Sequence, residues 1–156
     1  MATVCGLPDA SLGTPVATAS GYALYDSSPT VVTPRTQYID GFPDGCVRQF
    51  TAALALFGDV GTHEITRYQP SNAEIPYSET DVAYEAIKTE VCGVASGQPC
   101  GAALNRLGRD TVFVTVYEAF GTNPSWAEIL IHDGEVVAMD FKNDDGAGQA
   151  AESSGD

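Results

Sequence analysis

The stretch "TVFVTVYEAFGTNPSWAEILIHDGEVVAMDF", residues 111–141, constrains the fold more than any other. Val112, Val114 and Val116 alternate with Phe113 and Tyr117. β-Branched and aromatic residues at period two fit a pleated, half-buried surface and predict a strand. Asp133-Gly134 then separates two further apolar runs, and such a pair accommodates the left-handed backbone of a two-residue hairpin turn. Residues 111–141 therefore predict a three-strand antiparallel meander.

An earlier segment echoes it. "FTAALALFGDVGTHEI" (Phe50 to Ile65) and "FVTVYEAFGTNPSWAEI" (Phe113 to Ile129) both begin with Phe, both carry Phe-Gly at the same spacing, and both end in Glu-Ile. If they are one unit used twice, 47–57 is a strand and 62–69 its hairpin partner. Local signals compete with this. Asp44 can cap a helix, Gly58 can stop one, and Val47, Phe50, Leu54 and Phe57 share a helical stripe. We take the strand reading, with hairpin or meander units near 47–69 and 111–141.

The clearest helix covers 79–92. Ser78 stands at the cap, Asp81 at the capping-box position and Gly93 just past the end. Its expected apolar stripe is Val82, Ala83, Ala86, Ile87 and Val91. A second helix is expected near 100–107. "GYALYDSS" and "RTQYIDGF" read as short strands, and "FPDG" (Phe42 to Gly45) as a turn. Residues 1–20, rich in small residues, Pro and Gly, read as an extended arm, and 143–156 as a disordered acidic tail. The expectation is an α+β chain with one domain over 1–142. Its mostly antiparallel sheet is packed on one face by the two helices. The expected core is Phe50, Leu54, Leu56, Ile65, Val82, Ile87, Leu104, Val112, Val114, Val116, Ile129, Ile131 and Val137.

Charge limits the partners. Seven basic and 21 acidic residues give a net charge of −14. Nucleic-acid binding needs cationic surface to displace counterions from phosphates, so this chain is not expected to bind it. No apolar run approaches the length of a membrane span. A basic protein is the partner class that such a charge attracts.

Cys5, Cys46, Cys92 and Cys100 make an even count with three possible pairings. Cys92 and Cys100 flank "GVASGQP" at the facing ends of the two helices, so a bridge there is the expected one. Cys5 with Cys46 would then anchor the N-terminal arm. Disulfides imply an oxidising compartment. The opening "MATVCGLPDA" has no leader character. The expectation is thus a bacterial periplasmic or secreted protein with its leader removed.

Motifs for chemistry are missing. His63-Glu64 would need a second histidine at position 67 to make H-E-x-x-H, and that residue is Arg67. There is no C-x-x-C, no G-x-S-x-G, no phosphate loop, and "DFKNDDG" fails the calcium-loop register. No metal or cofactor is expected. The loop-borne Trp126, with His63 and Glu64, are the candidate interaction residues, since Trp is enriched in interface hot spots. These features point to an acidic binding or interaction module. The alternatives are a small hydrolase using a Cys–His pair (Cys92 or Cys100 with His63 or His132), or a carrier with a pocket between helix 79–92 and the sheet.

Overall fold

Alternation along one strand divides the molecule into layers. Val112, Val114 and Val116 pack with Ala55, Ile129 and Ile131 against Tyr22, Leu24, Ile39, Phe42 and Ala52. Phe113 and Leu130, pointing the other way, pack with Val60, Tyr84, Cys100 and Leu107. The first group lies between two sheets and the second between a sheet and the helices, because successive strand side chains take opposite faces.

The computed structural model describes residues 1–120 and 125–143. In chain order the strands are β1 (Ala2–Val4), β2 (Thr14–Ala19), β3 (Tyr22–Asp26), β4 (Arg35–Asp40), β5 (Val47–Ala52) and β6 (Leu54–Gly58). Helices α1 (Val60–Arg67), α2 (Glu79–Cys92) and α3 (Leu104–Gly108) follow, then β7 (Thr111–Tyr117), β8 (Ser125–His132) and β9 (Glu135–Asn143). The fold is α+β, in a single compact domain. One sheet has five strands in the order β1-β5-β4-β3-β2, and the other four in the order β6-β7-β8-β9. Every pairing is antiparallel. The helices cover the outer face of the four-stranded sheet, with α2 against β8 and β9 and α3 against β7.

The meander at 111–141 forms as β7-β8-β9, and the linker residues 121–124 lie outside the described residues. Asp133 (φ 51°) and Gly134 (φ 81°) make its hairpin turn. A Cβ at Gly134 would stand 2.6 Å from Pro43, so glycine is required there sterically as well as conformationally. The Gly134 N–H donates to Tyr22 Oη at 2.8 Å, fastening the turn to the five-stranded sheet.

The expected unit at 47–69 is corrected. Its strand splits at Ala53 into β5 and β6, which belong to different sheets. Ala53 is the corner: its N–H donates to Tyr117 O at 2.9 Å, and its carbonyl accepts from Arg35 Nη1 at 2.6 Å. Residues 62–69 are not a hairpin partner, for 60–67 is helix α1. Asp59 caps it by accepting from the Thr62 N–H at 2.9 Å, and the residues it buries are Val60, Glu64 and Arg67. A helix that buries mostly polar side chains leaves no apolar period to read. The echo is therefore one of sequence, since strand-into-helix in one copy meets strand-into-strand in the other.

The extended arm is also corrected. β1 pairs with β5 through Ala2↔Gln49, Thr3↔Arg48 and Val4↔Val47, beside the Cys5–Cys46 disulfide. β2 pairs with β3 at the opposite edge, bulging between Pro15 and Ala17. Edge strands tolerate proline and need only one partner, so neither shows the pattern of a central strand. The expected acidic tail falls on residues 143–156. Asn143 ends β9, and 144–156 lie outside the described residues.

Four expected core residues are exposed: Leu56 (50%), Ile65 (69%), Val82 (57%) and Val137 (38%). Leu56 lies on the edge strand β6. Val137 is the extra residue of a bulge, between the pairs Leu130↔Ala138 and Ile131↔Val136. Val82 is turned out because α2 presents a polar face inward: Thr80, Asp81, Tyr84, Glu85 and Lys88 are its buried residues. Ile65 is turned out on α1, where Glu64 and Arg67 are the buried neighbours.

Candidate functional site

Two buried polar clusters hold the helices to one another. In the first, Lys88 has no exposed surface, and its Nζ lies 2.6 Å from Glu85 Oε1 and donates to Tyr68 Oη at 2.6 Å. Glu85 also accepts from Tyr68 Oη at 2.5 Å and from the Gly97 N–H at 2.7 Å. Burial pushes the Glu85 carboxyl up, but the Lys88, Tyr68 and Gly97 donors outweigh it and hold it below the ordinary carboxylate range. In the second, Glu64 accepts from Tyr84 Oη at 2.5 Å and from the Cys100 N–H at 3.2 Å. Burial first, and then the hydrogen bond to a carboxylate, push both Tyr68 and Tyr84 above the ordinary phenol range. Both phenols thus stay protonated as donors.

Above these clusters lies a cleft of about 250 Å³ lined by His63, Thr66, Arg67, Asn72, Ile75, Asp81, Trp126 and Glu128. Helical spacing sets His63, Thr66 and Arg67 on one face of α1. His63 stacks on Phe113 (centroids 4.4 Å, interplanar 23°) and meets the edge of Tyr84 at 4.6 Å. Its Nε2 stands 3.9 Å from Asp81 Oδ1. Asp81 is fixed by the capping box of α2: the Ser78 N–H donates to its Oδ2 at 3.0 Å and its own N–H donates to Ser78 Oγ at 3.2 Å.

Arg67 is held within the fold by both terminal nitrogens, while its buried Nε makes an ion-pair contact but no hydrogen bond. It donates to the carbonyls of Asn72 (2.7 Å) and Ile75, places Nε 3.5 Å from Asp81 Oδ2, and stacks on Tyr77 with its Cζ 4.1 Å from the ring centre. Opposite it, β8 supplies Trp126 and Glu128. Trp126 leans on its cross-strand partner Tyr117 at 5.7 Å. Glu128 pairs across the sheet with Asp140, a juxtaposition of like charges that is unfavourable by itself. The first turn of α2 relieves it. Thr80 Oγ1 lies 3.1 Å from Glu128 Oε1 and 3.2 Å from Asp140 Oδ2, and the Thr80 N–H donates to Asp140 at 3.0 Å. The partial positive charge of a helix N-terminus favours carboxylates there.

Of the residues singled out in the sequence, His63 and Trp126 line this one cleft, while Glu64 turns into the interior. His132 sits elsewhere, with Nδ1 2.7 Å from Thr111 Oγ1. The four cysteines form two disulfides, Cys5–Cys46 and Cys92–Cys100, with Cα separations of 4.3 and 5.3 Å. No cysteine is free. Among the described residues no group of three His, Cys, Asp or Glu side chains is placed to hold a metal ion. Sequence reasoning missed Arg67, Asp81 as a cleft residue, and Glu128. The available signal was the polar run Thr80, Asp81, Tyr84, Glu85, Lys88, which keeps helical spacing on one face of α2. No protein-family model matches the chain, and no curated protein or solved structure matches it.

Proposed function

We propose that this protein is an exported, non-enzymatic binding module that docks on a basic protein, and that the cleft between α1, α2 and β8 takes a lysine or arginine side chain of that partner. The observation that carries the reading is the convergence of Trp126, Asp81 and Glu128 on one cleft in a chain of net charge −14. An indole face attracts a cation, and carboxylates accept charge-assisted hydrogen bonds from it. Arg67, the cleft's own cation, already faces Asp81 and two carbonyls. Net acidity would steer a basic partner toward the protein and make association salt-sensitive. Export is supported by the two disulfides. No helix among the described residues is long and apolar enough to cross a membrane. A Cys–His hydrolase would lack its nucleophile while both disulfides persist.

Titration with a capped tri-arginine peptide and its tri-citrulline isostere, followed by the emission of Trp126, tests the reading. The arginine peptide should give a saturable change that weakens with salt, and Glu128→Gln should reduce its affinity about tenfold. Equal responses to both peptides would refute recognition of a cation.

A further inference from the structure

On the opposite face of the four-stranded sheet the core between the sheets is not closed. At the end where β7 finishes and β8 begins, a pocket of about 200 Å³ is lined by Phe50, Val116, Ala127, Ile129 and Met139, with Glu118 among its lining residues. Val116 and Ile129 belong to the buried core, and Phe50, Ala127 and Met139 pack against it, so the pocket is an unfilled extension of that core. Ala127 stands between Val116 on β7 and Phe141 on β9 and contributes only a methyl group to the pocket lining. A dry apolar cavity of about 150 Å³ accepts a benzene-sized guest, so this volume suits a ring or a short aliphatic chain. The charge at the pocket selects among such guests. Met1 also lines the pocket and carries the N-terminal ammonium, but Glu118 is exposed beside it and the net charge of −14 outweighs that single cation, so an organic anion is repelled and an organic cation attracted.

We infer that this pocket is a second binding site, for a small amine with a ring-sized apolar body. The body lies between the sheets and the ammonium group rests at Glu118. Few precisely placed polar groups in an apolar concavity are the ordinary make-up of a small-molecule site. The site is separate from the cation cleft, which lies on the helix side of β8, although Trp126 borders both. Trp126 is the only tryptophan in the chain and so reports on either site.

Hexylamine, hexan-1-ol and hexanoate, titrated at neutral pH against Trp126 emission, distinguish the possibilities. Hexylamine should give a saturable change, with hexanol about tenfold weaker and hexanoate weaker still. Glu118→Gln should bring hexylamine down to the level of hexanol. Ala127→Leu, which fills the pocket, should abolish the response to all three with an unchanged circular dichroism spectrum. Should that variant fail to fold, the wild-type protein should show NMR contacts from the hexyl chain to the methyl groups of Ile129 and Met139. Three results would overturn the inference: no saturable response to hexylamine, equal binding of hexanoate, or a response removed by Glu128→Gln and kept by Ala127→Leu. The last result would place the amine in the cation cleft. A failure here leaves the arginine–citrulline comparison untouched.

Discussion

Lys88 is buried without exposed surface, yet its ammonium has both Glu85 and Tyr68 within 2.6 Å. Removing one member of a buried pair strands the other charge, and this typically costs about 3–5 kcal/mol. Lys88→Met should therefore lower the urea midpoint steeply. Lys88→Met with Glu85→Leu should recover part of the loss, the rest reflecting the Gly97 N–H and Tyr68 hydroxyl left without their acceptor. Glu85 also sets a pH dependence. Its folded pKa is depressed, so its contribution is complete above the unfolded value of about 4.3 and is lost as pH falls through the lower folded value. Asp26 acts in the same direction, because the hydrogen bonds from Arg35 at 3.0 and 2.7 Å hold its carboxyl low. Urea midpoints measured from neutral pH downward should be flat and then fall in the acid range, with Glu85→Gln reducing the slope there. A midpoint that rises on acidification would contradict the sign of both shifts.

At the scale of elements, the ring closed by Cys92 and Cys100 is bound to buried carboxylates at two points, one in its interior and one at its C-terminal end. Gly97 donates to Glu85, and Cys100 donates to Glu64. Closing so short a loop stabilises by about 2–3 kcal/mol on chain-entropy grounds. The double replacement of Cys92 and Cys100 by serine should destabilise by that amount. It should also speed amide exchange at Gly97, read by hydrogen-exchange NMR, while the interior of β7 keeps its protection. Helix α2 shows where sequence reasoning reaches and where it stops. Its ends were legible because Ser78, Asp81 and Gly93 act locally, and the Asp133-Gly134 turn was legible for the same reason. Its rotation was legible only in part. Of the expected stripe Val82, Ala83, Ala86, Ile87 and Val91, the residues Ala83, Ile87 and Val91 pack against the core while Val82 and Ala86 are exposed, and the most deeply buried positions are Thr80, Asp81, Tyr84, Glu85 and Lys88. Burying these polar groups is viable only because Glu64, Tyr68 and Asp140 arrive from other elements to satisfy them. The same cause hid α1, whose buried residues are mostly polar. His63 and Trp126 could be singled out by residue type, but their meeting in one cleft depends on how α1 seats against β8.

For the whole molecule, the four-stranded sheet lies between the five-stranded sheet and the helices, so it carries core on both faces, and a cavity opens beside each. The helix side collects carboxylates, aromatics and a neutralised arginine, and the sheet side an apolar pocket. A net charge of −14 surrounds both and biases each toward cations. The claim that matters most is that the α1–α2–β8 cleft receives a partner's basic side chain. Proton–nitrogen correlation spectra of the uniformly labelled protein, recorded with increasing tri-arginine peptide at low salt, test it directly. The expected result is a shift of the Trp126 indole N–H together with the backbone amides of His63, Arg67 and Glu128, reversed by added salt. Shifts confined to residues away from α1 and β8, or none at all, would contradict the account.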